Sequence, residues 1–335
     1  MTFDEIRLRR LDAQHLLAAA DTQTAVKDLC GVQAQFLNHA LHGLHIRCGN
    51  VNTERLVKSW TVRGTMHLFS EDDLPLFLHE DRKRTLRPVD TLESDSRIGA
   101  RRKAYFAELI IDAVSRGTDE REALKILCEK EGMTETESRS LFDPWGGIIR
   151  ALCESGRLCH KVQENKAYRL CPEFEPMTAA DAEAELLRRY FTHFGPAGIK
   201  DAAYFFGTTQ TGIRHHLGQF PVSEMSADGK TFYYIGEISP VSGIPECIFL
   251  AAFDQLMLGY EKSESIFLPK EYLREIFTMS GIVRPAILIN GRVCGRWQKK
   301  GRKLSVTMFE AGNEKAVTDE ARRLWNDDVS IAFGG

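Results

Sequence analysis

Two short stretches of this sequence place side chains able to do chemistry close together. The first is Gly31-Val32-Gln33-Ala34-Gln35-Phe36-Leu37-Asn38-His39. A glutamine amide donates and accepts hydrogen bonds but cannot act as a base at neutral pH. With a helix starting at Ala34, steps of 100° gather Phe36, Leu37, Ala40, Leu41 and Leu44 on an apolar face. Gln35, Asn38, His39 and His42 then form a polar stripe on the opposite face. Gln33 would point about 200° away from Gln35 inside a helix. It joins the stripe only by lying ahead of the helix, where Gly31 permits an irregular approach. The alternative is an ordinary polar helix surface carrying two amides.

The second stretch is Trp60-Thr61-Val62-Arg63-Gly64-Thr65-Met66-His67-Leu68. As a strand it turns Val62, Met66 and Leu68 to the core and lines Arg63, Thr65 and His67 along an exposed face. That row suits a phosphate or a stacked base; equally, it suits a polar network at the rim of a core. His39, His42 and His45 raise the question of metal, but His45 is rotated away and no carboxylate stands close in sequence, so no metal site is expected. There is no P-loop, no glycine-rich nucleotide fingerprint and no nucleophile elbow, which disfavours nucleotide-dependent enzymes and α/β-hydrolases. Nothing argues for a cofactor. The eight cysteines form no CxxC pair and no zinc-finger spacing, and read as buried thiols in a reducing compartment.

These residues need elements to hold them. A chain of 335 residues suggests about two to three units, and 43% hydrophobic with 27% charged residues is ordinary globular usage. The longest apolar run, Ile248–Phe253, is six residues, far below the roughly twenty that span a bilayer. The N-terminus carries charges where a secretion signal needs an apolar stretch, so a cytoplasmic location is expected. Net charge is −3, but charge is segregated. Seven basic residues and no acidic one lie between Arg284 and Lys303, among them Arg292, Arg296, Lys299, Lys300, Arg302 and Lys303. Eight basic and four acidic residues lie between Asp81 and Lys103. One basic face for a nucleic-acid backbone, or merely solvated surface, would account for this.

Short helices followed by a two-stranded hairpin recur along the chain, which is the layout of a winged helix. The clearest copy has helices at Ala104–Val114 and Arg121–Glu131, a third opened by Pro144, and strands at Arg157–Val162 and Lys166–Leu170. Another has helices at Ala182–Phe194, Ile199–Phe206 and Thr209–Leu217, then a hairpin turning at Asp228-Gly229. A less regular copy has helices near Leu8–Ala20, Thr24–Leu29, Ala34–Ile46 and Thr53–Trp60, then a strand at Thr61–Phe69. After Pro240, strands at Cys247–Phe253, Pro285–Ile289, Arg292–Trp297 and Leu304–Phe309 surround a helix at Pro269–Phe277. Tight turns are expected at Asn290-Gly291 and Lys299–Lys303. The expected fold is α+β and mainly helical: tandem winged helices over residues 1–95, 96–175 and 180–238, then a β-rich domain over residues 240–335.

Both stretches, together with Tyr190 to Asp201, Phe253-Asp254-Gln255 with Leu258-Gly259-Tyr260, and Asn290-Gly291-Arg292-Val293-Cys294-Gly295-Arg296-Trp297, resemble one family over nearly the whole chain. It is the family of winged-helix alkylpurine DNA glycosylases of the AlkZ/YcaQ type. The resemblance implies a basic channel for double-stranded DNA and a catalytic motif of Gln-x-Gln or Gln-x-Asp, carried here by Gln33 and Gln35. Two amides can align an attacking water but cannot deprotonate it. Such a site suffices if the leaving base is already activated, as a cationic N7- or N3-alkylpurine is, because it departs neutral. Bulky adducts and interstrand crosslinks fall within reach of such a site. His39, Arg63, Thr65, His67 and the basic residues from Arg292 to Lys303 are then expected on DNA, in a monomer. The competing reading is a non-catalytic winged-helix DNA-binding protein, a transcription regulator or damage sensor, indifferent to Gln33 and Gln35.

Overall fold

The computed structural model describes residues 2–61, 64–79, 97–144, 146–237 and 243–334. The chain is α+β and forms two compact units, Met1–Asn52 with Leu186–Gly335, and Thr53–Glu185.

The first unit opens with α1 (Phe3–Ala13), whose start is fixed by a capping box. The Thr2 hydroxyl accepts from the Glu5 N–H at 3.3 Å and the Glu5 carboxylate from the Thr2 N–H at 2.7 Å. The helix ends in a Schellman motif: His15 takes φ 59°, its N–H donates to Asp12 O (2.9 Å), and the Leu16 N–H donates to Leu11 O (2.9 Å). α2 (Thr22–Asp28), capped by Asp21, ends the same way. There Cys30 takes φ 53°, and the N–H groups of Cys30 and Gly31 reach Lys27 O (3.1 Å) and Val26 O (2.8 Å). Gly31 follows at φ 79°, a second left-handed step that glycine tolerates best. The chain then extends through β1 (Val32–Gln33) into α3 (Leu37–Cys48). α1 begins five residues before the expected Leu8. α3 begins three residues after the expected Ala34, because Phe36, at φ −117° and ψ 101°, is the extended residue that caps it.

The second unit holds β2 (Leu56–Trp60), β3 (Met66–Ser70), α4 (Leu74–Phe77), α5 (Ala100–Ser115), α6 (Arg121–Lys130), α7 (Glu135–Leu141), α8 (Gly147–Glu154), β4 (Leu158–His160) and β5 (Tyr168–Leu170). Its strands run antiparallel in the order β3-β2-β4-β5, with Trp60 opposite Met66, Lys58 opposite His160, and His160 opposite Tyr168. Phe106, Ile110, Leu124, Cys128, Ile149, Leu152, Leu158 and Tyr168 form its core. The helix expected at Thr53–Trp60 is the strand β2. Leu56, Val57 and Ser59 are all buried, so both faces are covered and the period-two signal of a strand is lost. α7 was not expected. Its start is nevertheless written in the sequence, because Thr134 and Glu137 form a second capping box.

α9 (Ala179–His193) returns the chain to the first unit. There follow α10 (Ile199–Phe206), α11 (Gln210–Leu217) and the hairpin β6 (Ser223–Ala227) and β7 (Lys230–Tyr234), closed by Asp228 (φ 51°) and Gly229 (φ 73°). Two positive φ values are what a two-residue hairpin turn requires. The last part is a sheet of β8 (Cys247–Phe249), β9 (Ala286–Ile289), β10 (Arg292–Lys300), β11 (Lys303–Met308) and β12 (Ser330–Gly334), in the order β12-β11-β10-β9-β8. Only β11 and β12 are parallel among the described pairs. Asn290 and Gly291 make the expected tight turn, both at positive φ. Two short helices, α12 (Gln255–Leu258) and α13 (Leu273–Ile276), lie between β8 and β9. The amphipathic α14 (Glu314–Trp325), not expected, buries Val317 and Ala321 against Phe249, Trp297, Leu304 and Val306.

A buried polar network knits the first unit together. Arg10, 2% exposed, donates to Pro196 O at 2.8 Å and lies 3.8 Å over the Tyr260 ring, a desolvated cation–π contact worth about 2 kcal/mol. Tyr260 donates to Phe194 O (2.9 Å), accepts from Gln14 (3.0 Å), and is joined by Tyr190, which donates to Gly259 O (2.7 Å). A Cβ on Gly259 would sit 2.5 Å from the Phe194 ring, so only glycine fits there.

Candidate functional site

Gln33 and Gln35 both precede α3, so Gln33 lies outside the helix as the polar stripe required. Gln33 is only 6% exposed and Gln35 is exposed. Neither side-chain amide makes a hydrogen bond among the described residues. The Gln33 side chain is mostly buried, yet its amide is not among the fully buried polar atoms and stays open to water. Its backbone is held from below: Gln255, buried at 2%, donates its side-chain N–H to Gly31 O. α3 has no side-chain cap. The start of this helix follows Gln35 directly, and helix starts favour anions and polarised water.

Phe36 is the larger departure. It was assigned to the apolar face, yet it is 44% exposed and stacks on Phe253 at 5.8 Å. An exposed aromatic beside Gln35 offers a face to a nucleobase.

The rest of α3 is locked to the segment around Asp254. Arg47 and Asp254, with side chains 1% exposed, pair in bidentate fashion at 2.8 and 2.9 Å. Arg47 also donates to Gln14 O (3.0 Å) and Gly43 O (2.8 Å), and Asp254 caps α12 by accepting from the Leu256 N–H (2.9 Å). Removing either partner would strand a buried charge, at about 3–5 kcal/mol. His42, expected on an open polar stripe, is instead half-buried and covered: it bonds Phe249 O at 2.8 Å and stacks on Trp325, with Trp297 at 5.0 Å. Burial pushes its pKa down to about 4. Trp297 itself donates to Leu250 O at 2.8 Å.

His39 sits half-buried one turn into α3, where burial lowers its pKa. Its Nδ1 accepts from the Ala252 N–H at 3.4 Å, so the neutral ring carries its proton on Nε2, which has no partner among the described residues. It can offer a neutral N–H rather than a positive charge.

In the second unit Arg63 lies outside the described residues, as do residues 80–96 of the first basic segment. Thr65 is half-buried just before β3, and His67 is buried at 2% with its Nδ1–H donating to Thr65 O at 3.0 Å. The expected exposed Arg-Thr-His row is therefore corrected at His67, which faces the interior.

In the C-terminal sheet the register places Arg296, Gln298 and Lys300 opposite Thr307, Ser305 and Lys303 on one polar face of β10–β11. Arg296 pairs with Glu275 (3.2 Å), Arg302 with Asp328 (3.5 Å), and Lys299 lies 5.8 Å over the Trp325 ring. Arg292, Lys300 and Lys303 are exposed and make no ion pair among the described residues. Lys300 directly faces Lys303 across the hairpin, a like-charge pair that costs stability unless an anion sits over it. Sequence reasoning passed over Arg214 and His215, exposed on α11 ahead of its hairpin. Among the described residues no helix is long and apolar enough to cross a membrane.

Comparison with known proteins defines the class. The family described as AlkZ-like DNA glycosylases matches residues 26–326, and the chain belongs to it. It is a DNA repair glycosylase, and its substrate is DNA. It is similar to the interstrand DNA cross-link repair glycosylase of Streptomyces sahachiroi, at 28% identity over 344 residues that cover 90% of this chain and 91% of that protein. The solved structure of the Streptomyces sahachiroi DNA glycosylase AlkZ superposes with a TM-score of 0.75 at 20% identity, over 100% of both chains, which shows a shared fold.

Proposed function

We propose that the protein hydrolyses the N-glycosidic bond of N7- or N3-alkylated purines in duplex DNA, with Gln33 and Gln35 aligning the attacking water. The observation that carries this reading is the mostly buried Gln33, its amide without a hydrogen-bond partner among the described residues, two residues from the open Gln35. The water oxygen bonds to the sugar C1′ as the C1′–N bond breaks. The bond's electron pair neutralises the cationic purine, and the proton of the water passes to solvent. No carboxylate base or acid is required, which fits a site built from amides. The amide oxygens face the positive charge that develops on the sugar. The similarity to a cross-link repair glycosylase extends the proposed substrates to bulky adducts and interstrand crosslinks.

DNA binding is assigned to winged helices at residues 1–95, 96–175 and 180–238, supported by the helices that precede the β4–β5 and β6–β7 hairpins. Arg214 and His215 on α11 join His39, Thr65, Arg292, Arg296, Lys299, Lys300, Arg302 and Lys303 as contacts in this reading. Base release from duplex DNA carrying one N7-methylguanine, measured under single turnover, tests it. The wild type releases the base and a Gln33→Ala, Gln35→Ala variant does not; equal release by both removes the pair from the reaction.

A further inference from the structure

Three residues far apart in the sequence meet at the C-terminal ends of three helices. His15 follows α1, Asp28 is the last residue of α2, and His193 is the last residue of α9. His15 Nε2 lies 2.7 Å from Asp28 Oδ2 and His193 Nε2 lies 3.2 Å from Asp28 Oδ1. Their ligand atoms all fall within 4.8 Å of one another, and they are the one such group of three among the described residues.

We propose that His15, Asp28 and His193 form a binding site for one divalent transition-metal ion of the zinc type. Two imidazoles and a carboxylate are the ligand set such ions take when a fourth position is left for water. Ligands at zinc distances stand about 3.4 Å apart around a tetrahedron. Each imidazole already lies within 3.2 Å of one Asp28 oxygen and all three ligand atoms lie within 4.8 Å of one another, so rotations of these side chains bring them to that spacing. The side chains are 19%, 19% and 23% exposed, which leaves room for that water while shielding the ion.

Two further features point the same way. His15 occupies the left-handed position of a Schellman motif, at φ 59°, where glycine would cost less. A strained imidazole held there, aimed at Asp28, serves the cluster rather than the helix. All three residues also stand at or just past a helix C-terminus, where the helix dipole places negative charge that favours a cation. Asp28 lies five residues before Gln33, so an ion bound here braces the base of the segment that carries the amides.

Cobalt(II) titration of the full chain, followed by visible absorption, tests the site without DNA and apart from any base release. The wild type is expected to bind one ion per chain with tetrahedral nitrogen and oxygen bands. No thiolate charge-transfer band should appear. His15→Asn, which tolerates the left-handed backbone, and His193→Gln should each weaken binding by about 100-fold while far-UV circular dichroism is unchanged. Wild-type affinity in both variants, a thiolate signature, or no binding by the wild type at millimolar cobalt would each overturn the proposal.

Discussion

Replacing Gln33 by methionine separates a working amide from a structural one, because the two roles predict opposite changes in stability. Gln33 is 6% exposed and its amide has no hydrogen-bond partner among the described residues. Its amide keeps some contact with water, so the native state loses at most about 1–3 kcal/mol to an unpaired polar group. Methionine has nearly the same volume, and such swaps cost under about 1.5 kcal/mol even where packing is imperfect. The balance for Gln33→Met runs from about 0.5 kcal/mol less stable to at most about 3 kcal/mol more stable. Catalysis should move the other way. Losing one group that orients a reactant or stabilises charge only in the transition state costs about 10²–10³ in rate, or about 2.7–4 kcal/mol. Urea unfolding gives the first quantity, single-turnover release of N7-methylguanine the second, and affinity for undamaged duplex should not change. A variant that loses more than about 1 kcal/mol of stability while releasing base at the wild-type rate would refute the reasoning, since Gln33 would then be holding the fold.

The hairpin of β10 and β11 carries an electrostatic counterpart. Lys300→Gln with Lys303→Gln removes a directly opposed like-charge pair, so stability should hold or rise slightly. If both lysines meet phosphates, the slope of log affinity against log salt should lessen in magnitude by about 2. An unchanged slope would take the hairpin off the DNA. His42 supplies a pH dependence. Its folded pKa of about 4 lies below the ordinary value of 6.5, so the unfolded chain binds more protons between these values. The stability of neutral His42 is fully present above about pH 6.5 and is lost as pH falls toward 4, a change on the order of 3 kcal/mol. Denaturant midpoints measured across that window should fall more steeply for the wild type than for His42→Gln, and parallel curves would refute the assignment.

Local signals were legible where a backbone rule acts alone. α10 spans the anticipated Ile199–Phe206, and the turns at Asp228-Gly229 and Asn290-Gly291 take two positive φ values because few other residue pairs can. Patterns failed where burial rewrites periodicity. β2, covered on both faces, shows apolar positions at 56, 57 and 60, a helical spacing, and reads as a helix. α7, with sequence ETESRSL, has too few apolar residues to announce itself except through its capping box.

The candidate site divides along the same line. The sequence analysis isolated Gln33 and Gln35 and placed Gln33 ahead of α3, because the angle between residues two apart in a helix is fixed by geometry. It misplaced His42 and Phe36, since no local rule says that Trp297 and Trp325 cover one side of α3 or that Phe253 meets Phe36 from outside. Several of the motif residues that carried the family resemblance prove to be scaffold: the side chains of Tyr190, Asp254, Gln255 and Tyr260 bond to the backbone or to Arg47 inside the first unit. Their identities are demanded by buried hydrogen bonds whose loss would cost several kcal/mol together, whereas the amides of Gln33 and Gln35 bond to nothing in the described fold. That contrast is itself informative. A mostly buried residue that bonds to nothing in the described fold, beside residues that the fold does need, is what the proposed water-aligning role of Gln33 requires.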